Sequence, residues 1–255
     1  MTGTRARWLV AGAVVTLAAA CASTVPEEGD PSILVFSSTE AFRHASIGPA
    51  TEAIRRLAEE HDLGVHATED ASAFELDNLR EYAAVVFLST TGDVLDEQQQ
   101  TAFMAYIGAG GGYVGIHSAS DTEYDWPWYG RLVGAYFDGH PSNPGVRTGT
   151  LLVADPDHPA TEHLPRPWIR ADEWYDLRDP QPGLTVLLEI DELSYKERDE
   201  VPAPEPRPIA WVHEVAGGRA FYTALGHTSE SWEEPEFLRH VWGGITMVMR
   251  TEAGG

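Results

Sequence analysis

From residue 33 onward the chain alternates short apolar runs with stretches whose apolar residues recur every three or four positions. Ile33-Leu34-Val35-Phe36 is apolar on both faces, as a central parallel strand is when helices cover both sides of its sheet. Ile47, Ala50, Ile54, Leu57 and Ala58 then fall at helical spacing, with Arg55, Arg56, Glu59 and Glu60 on the other side and Gly64 as a stop. Residues 65–68 read as a second strand and 83–88 as a third. Asp96 with Gln99 three residues on predicts a capping box, opening a helix that carries Phe103, Met104 and Ile107 and ends in the glycines at 110–112. Residues 113–116 make a fourth strand. This alternation predicts an α/β fold with a right-handed, doubly wound, mostly parallel sheet flanked by helices, whose ligands sit beyond the carboxyl ends of the strands.

The second half is less regular. Residues 184–190, 209–213 and 219–225 read as strands, Gly217-Gly218 as the tight turn between the last two, and 235–249 as a closing helix. The stretch 191–208 is charged and proline-rich, holds Lys196, the only lysine in the chain, and predicts an exposed loop or flap. A length of 255 residues suits one sizeable domain.

The first 32 residues follow different rules. Arg5 and Arg7 precede an uncharged apolar run over 9–20, too short to span a bilayer comfortably, and Leu17-Ala18-Ala19-Ala20 leads into Cys21. The arrangement resembles a bacterial lipoprotein signal, which implies acylation of Cys21; an ordinary secretory signal is the alternative. The expected division is a signal peptide at 1–20, a lipidated flexible tether at 21–32 and a folded domain at 33–250, with the mature chain exported and held to the membrane only through its lipid.

Charge narrows the partners. With 17 Lys plus Arg against 40 Asp plus Glu the net charge is −23, and loss of Arg5 and Arg7 with the signal takes it to −25. Such a surface repels a polyanionic backbone, which argues against nucleic acid.

The chemistry rests on histidines and carboxylates. With Cys21 in the anchor no cysteine nucleophile remains, no G-x-S-x-G is present, and the strand-to-helix corner where an elbow would fall reads Gly115-Ile116-His117-Ser118-Ala119. His44, His117 and His227 follow predicted strands, and His140 sits in Phe137-Asp138-Gly139-His140-Pro141. Imidazoles with one carboxylate suit zinc or manganese, so these four are candidate ligands. Glu173, in Asp172-Glu173-Trp174-Tyr175, is the candidate carboxylate, with aromatic neighbours that can wall a pocket. Tyr175, Trp174 and Trp126 are candidate substrate contacts, because flat rings with polar edges suit sugar faces. His61, His66, His163, His213 and His240 show no convergent partner and read as surface or core residues, and His158 belongs to a turn.

Phe42-Arg43-His44, Gly115-Ile116-His117-Ser118-Ala119, Gly139-His140-Pro141, Asp155-Pro156-Asp157-His158-Pro159, Asp172-Glu173-Trp174-Tyr175, Pro208-Ile209-Ala210-Trp211 and Leu225-Gly226-His227 together resemble the trehalose-utilisation (ThuA-like) family, in matching order over about 33–249. The resemblance implies a flavodoxin-like, class I glutamine-amidotransferase-like fold without the nucleophile cysteine. It also implies a role in bacterial sugar catabolism, alongside oxidoreductases that make keto-sugars. Two functions remain open. One is a metal-assisted enzyme that enolises a 3-keto sugar or glycoside, with Glu173 or His117 as base and the other histidines as ligands. The other is a non-catalytic carbohydrate-binding lipoprotein using the same pocket.

Overall fold

The computed structural model describes residues 31–197 and 200–249; the expected signal peptide, Cys21 and most of the tether lie outside the described residues. In chain order the elements are β1 (Ser32–Phe36), α1 (Ile47–Glu59), β2 (Gly64–Thr68), α2 (Leu76–Leu79), β3 (Tyr82–Leu88), α3 (Glu97–Gly108), β4 (Gly112–Ile116), α4 (Pro127–Val133), β5 (Tyr136–Gly139), β6 (Val146–Val153), β7 (Trp168–Glu173), β8 (Asp176–Arg178), β9 (Thr185–Asp191), β10 (Arg207–Val215), β11 (Gly218–Thr223) and α5 (Pro235–Val248).

Nine strands form one sheet in the order β2-β1-β3-β4-β11-β10-β9-β6-β7, and β5 pairs with β8 in a small second sheet. The first five pair in parallel. Every junction from β11 to β7 is antiparallel, so only β10 and β6 run against the rest. The central parallel strands are buried on both faces: β4 is buried along its whole length and β1 from Ile33 to Phe36. α1 buries Ile47, Ala50, Ala53, Ile54 and Ala58 and packs with α5. On the other side Phe103 of α3 stacks on Phe87 of β3, with ring centroids 5.4 Å apart.

The capping box forms as expected: Gln98 and Gln99 backbone N–H groups donate to Asp96 Oδ1 at 2.9 and 2.8 Å, and Asp96 N–H donates to Gln99 Oε1 at 2.8 Å. The β10–β11 turn falls one residue earlier than expected. Val215 pairs with Gly218, which leaves Ala216 and Gly217 as the loop, both at positive φ (52° and 100°), the backbone of a type I′ turn.

Two features lie beyond what the sequence pattern predicts. The segment after β9 is tied down: Glu192 is 2% exposed, and its carboxylate meets Lys196 Nζ at 2.8 Å and Arg207 Nη1 at 3.1 Å while accepting from Ala203 N–H at 2.6 Å. The region 146–178, which shows no clear strand pattern in sequence, supplies β6, β7 and β8. In β7 the inward positions are Trp168, Arg170 and Asp172, and the exposed ones are Ile169, at 62%, and Ala171. Charged residues face in and the aliphatic Ile169 and Ala171 face out, so hydrophobic alternation conceals the strand.

Candidate functional site

His117 sits where β4 gives way to a 3-10 turn over His117–Asp121, with φ of +53°. A non-glycine residue in that region is strained by of order 1–3 kcal/mol and persists only where its surroundings over-determine it. Here they do. Tyr222 Oη–H donates to His117 O at 2.9 Å, and His117 Nδ1 lies 2.8 Å from Ala224 O. A carbonyl only accepts, so Nδ1 carries the proton and the Nε2 lone pair of the neutral ring points the other way.

That lone pair faces a crowd. His44 Nε2 and His227 Nδ1 each lie 3.1 Å from His117 Nε2, Tyr175 Oη lies at 2.8 Å, and Glu173 Oε2 at 3.6 Å. Glu173 Oε2 is also 3.1 Å from His227 Nδ1. His44 comes from the loop after β1, His117 from the end of β4, His227 from the loop after β11 and Glu173 from the end of β7, all at the carboxyl edge of the sheet. One atom from each of these four residues lies within 4.8 Å of the others.

One lone pair accepts one hydrogen bond, and His44 Nε2, His227 Nδ1 and Tyr175 Oη all crowd His117 Nε2, more polar neighbours than that lone pair can serve. A tetrahedral site with metal–nitrogen bonds of about 2.0–2.1 Å has ligand atoms roughly 3.4 Å apart, close to the 3.1–3.6 Å contacts around His117 and Glu173. Three imidazoles and one carboxylate form a donor set that fits zinc or manganese.

The electrostatics separate the four. Burial, reinforced by His117 and His227, pushes the His44 pKa down to about 3, so this ring stays neutral. Burial works against the charge on Glu173, but the hydrogen bond and charge of His227 outweigh it and hold the carboxyl well below the usual range. For His227 burial is likewise outweighed, by Glu173, and its pKa rises.

Behind the cluster lies a support that the sequence did not announce. Asp172, fully buried, accepts from Gly226 N–H (2.9 Å), His227 N–H (3.1 Å) and Glu173 N–H (2.9 Å), and lies 3.3 Å from Arg170. Arg170 is itself held by Ser231 Oγ (2.7 Å) and Glu234 (3.1 Å) and lies over the Trp168 and Phe237 rings. Gly226 has φ of +107°, which lets the chain turn sharply to present both N–H groups to one carboxylate. Ser118 Oγ, 3.3 Å from His44 Nδ1, was missed for the same reason: a short polar side chain in a buried turn carries no sequence signature.

Of the predicted site residues, His44, His117, His227, Glu173 and Tyr175 converge. Tyr175 stacks on His117 with centroids 4.4 Å apart, and burial raises its pKa well above the usual value, so it acts as a donor to the cluster. His140 was expected among the ligands and stands outside the group of four: its Nδ1 faces Pro141 O at 2.8 Å and Glu173 Oε1 at 3.3 Å, on the outer side of that carboxylate. Trp174 is not brought to the pocket. Successive residues of an extended chain point to opposite sides; Glu173 and Tyr175 face the cluster, while Trp174 donates from Nε1 to Arg147 O at 2.9 Å and packs beside Gly149 and Tyr195. Trp126 stacks on Trp128 and Tyr129, with no ring contact to the cluster among the described residues. The remaining histidines have local partners: His66 with Tyr82 Oη, His163 with Glu236 O, His213 with Arg131 O, His158 with Ala160 N–H, His61 stacked on Trp242, and His240 in the core.

A family model described as trehalose utilisation (ThuA) matches residues 32–248. A solved structure described as a ThuA-like protein from Bacteroides uniformis is 23% identical, covering 86% of this chain and 91% of its own, with a TM-score of 0.71. Another so described, from Parabacteroides merdae, is 20% identical over 88% and 93%, with a TM-score of 0.66. A cytoplasmic protein from Salmonella typhimurium is 9% identical over 86% and 99%, with a TM-score of 0.60. At these identities the likeness shows the fold. No curated protein matches the chain.

Proposed function

The chain belongs to the trehalose-utilisation (ThuA) family, and from that premise we propose an exported lipoprotein of sugar catabolism, anchored through Cys21, that enolises a 3-keto sugar or glycoside with the help of a divalent cation. The observation that carries this reading is the convergence of His44, His117, His227 and Glu173 within 4.8 Å, around a lone pair that cannot satisfy all its neighbours. Zinc or manganese is the cation the donor set fits.

A ketone at C3 acidifies the hydrogen on C2. A base takes that proton, the C2–H electrons become the C2=C3 bond of an enolate, and two exits follow. Reprotonation elsewhere isomerises the sugar. Alternatively the C3 carbonyl reforms, a C1=C2 bond forms, and the C1–O bond breaks, with the departing alkoxide collecting a proton. A bound cation would polarise the C3 carbonyl and stabilise the enolate. No covalent nucleophile is needed, which suits a chain whose elbow residue is His117.

The two base candidates from the sequence divide on geometry. His117 has Nδ1 committed to Ala224 O and Nε2 committed to the cluster, so it has no nitrogen left for proton transfer. Glu173 turns Oε2 to His227 and Oε1 to His140 Nδ1. With Nδ1 also on Pro141 O, His140 has its Nε2 without a partner among the described residues, and its side chain is 35% exposed. Proton abstraction therefore falls to the Glu173–His140 pair, with His140 Nε2 receiving and Glu173 orienting the ring.

The test is exchange in heavy water. Purified protein reconstituted with zinc or manganese is incubated with methyl 3-keto-α-glucoside and with 3-ketotrehalose, with and without chelator, and C2 deuteration and released alcohol are followed by NMR. Metal-dependent exchange, lost in His140→Ala, is expected. Binding of the keto-glycosides with neither exchange nor cleavage would replace this reading with a non-catalytic carbohydrate-binding lipoprotein.

A further inference from the structure

Among the large apolar side chains exposed in the described residues there is one aromatic, Phe42, at 65%. Its ring lies edge-on to His44, with centroids 4.8 Å apart, and His44 is in turn 5.2 Å from His227. It therefore stands beside the cluster, against His44, while His227 keeps a side chain 24% exposed.

The loop that carries Phe42 is held rather than loose. Glu40 N–H donates to Thr91 O at 2.8 Å, Ala41 N–H to Thr91 Oγ1 at 3.3 Å, and Thr91 Oγ1 donates to Phe42 O at 2.9 Å. On the next residue Arg43 forms a two-pronged pair with Glu69 at 2.6 and 3.1 Å. Thr91 is fully buried, so the backbone at Ala41 and Phe42 is anchored to the loop after β3 while the ring is left in water. A single exposed apolar side chain is ordinary in itself; what sets Phe42 apart is that its backbone is held while its ring abuts His44 of the cluster.

We propose that Phe42 is the platform on which the pyranose ring of the substrate stacks, its apolar C–H face on the phenyl ring and its polar perimeter turned to His140 and His227. This rests on the sugar reading of the same site, and it assigns the recognition role to Phe42 in place of Trp174 and Trp126. The phenyl face excludes water from one side of the sugar and orients the ring without competing for the cation ligands.

The test uses the full-length protein and four variants, Phe42→Ala, Phe42→Leu, Phe42→Trp and Phe42→Tyr, with methyl 3-keto-α-glucoside and trehalose as probes, read by calorimetry and by saturation-transfer NMR. Phe42→Ala is expected to weaken binding about tenfold, and the two aromatic replacements to stay within about threefold of the parent. Phe42→Leu should resemble Phe42→Ala, because it keeps apolar area and loses the flat face. Saturation transfer to the sugar C–H protons should fall with the aromatic ring. Zinc stoichiometry is expected to stay at the parent value in all four. Parent-like affinity in Phe42→Ala, or full rescue by Phe42→Leu, overturns the proposal while leaving the enzyme reading intact. Loss of C2 exchange with aromatic-dependent binding preserved retires the enzyme reading and leaves the platform standing. A parent that binds neither sugar overturns both.

Discussion

Replacing Asp172 tests whether the cluster is built by its support. The carboxylate is fully buried, accepts three backbone N–H groups at 2.9–3.1 Å and faces Arg170 at 3.3 Å. Asp172→Ala strands three buried donors and removes one of the two carboxylates at a buried guanidinium. Breaking a buried pair by deleting one partner costs about 3–5 kcal/mol. Arg170 keeps Glu234 and Ser231, which limits the charge part of the loss, while the unpaired N–H groups add to it. We therefore expect a loss of about 3–5 kcal/mol, which at roughly 2–4 °C per kcal/mol for a domain of this size lowers Tm by about 6–20 °C. Asp172→Asn keeps the shape and one acceptor oxygen and is expected to lose about half as much. The assay is urea unfolding with calorimetry on metal-free protein, followed by zinc titration of the folded variants. Because Gly226 and His227 lose their anchor, zinc affinity should fall in both, even though no ligand side chain has changed. A loss of under about 1 kcal/mol in Asp172→Ala, with parent-like zinc affinity, would refute the argument that this carboxylate positions the site.

His240 offers a pH test away from the cluster. It is fully buried between Ala160 O (2.8 Å) and Thr223 Oγ1 (3.2 Å), and burial pushes its pKa down to about 3. The unfolded chain binds a proton at this residue below about pH 6.5 and the folded chain does not. Stability should therefore fall as pH drops from about 6.5 toward 3, by up to about 1.4 kcal/mol per pH unit from this residue. Urea unfolding from pH 7 to 4.5 should show a shallower fall in His240→Gln, and an unchanged slope would remove His240 from the account. Anchoring is tested by Cys21→Ser: the variant should leave the membrane fraction, and retention as firm as the parent's would end the lipid-anchor proposal.

The parallel half of the sheet was legible in the sequence because its signals are local. β1 and β4 are continuous apolar runs, and the Asp96–Gln99 box closes over three residues. His44, His117 and His227 were legible too, since each follows such a strand, and strand ends in doubly wound sheets share one edge. What tertiary structure decided lies in the antiparallel extension. β7 is last in the sheet order, yet Asp172 reaches the backbone of Gly226 and His227, 54 and 55 residues on, and this contact brings Glu173 into the group of four. No short-range pattern encodes that return, and β7 hides further by burying Arg170 and Asp172 while exposing Ile169. The place of Glu173 inside the group of four and of His140 outside it, and the turning of Trp174 away from Glu173 and Tyr175, follow from side-chain direction. Composition and spacing give the residue types at hand; the pleat and the register decide which of them meet.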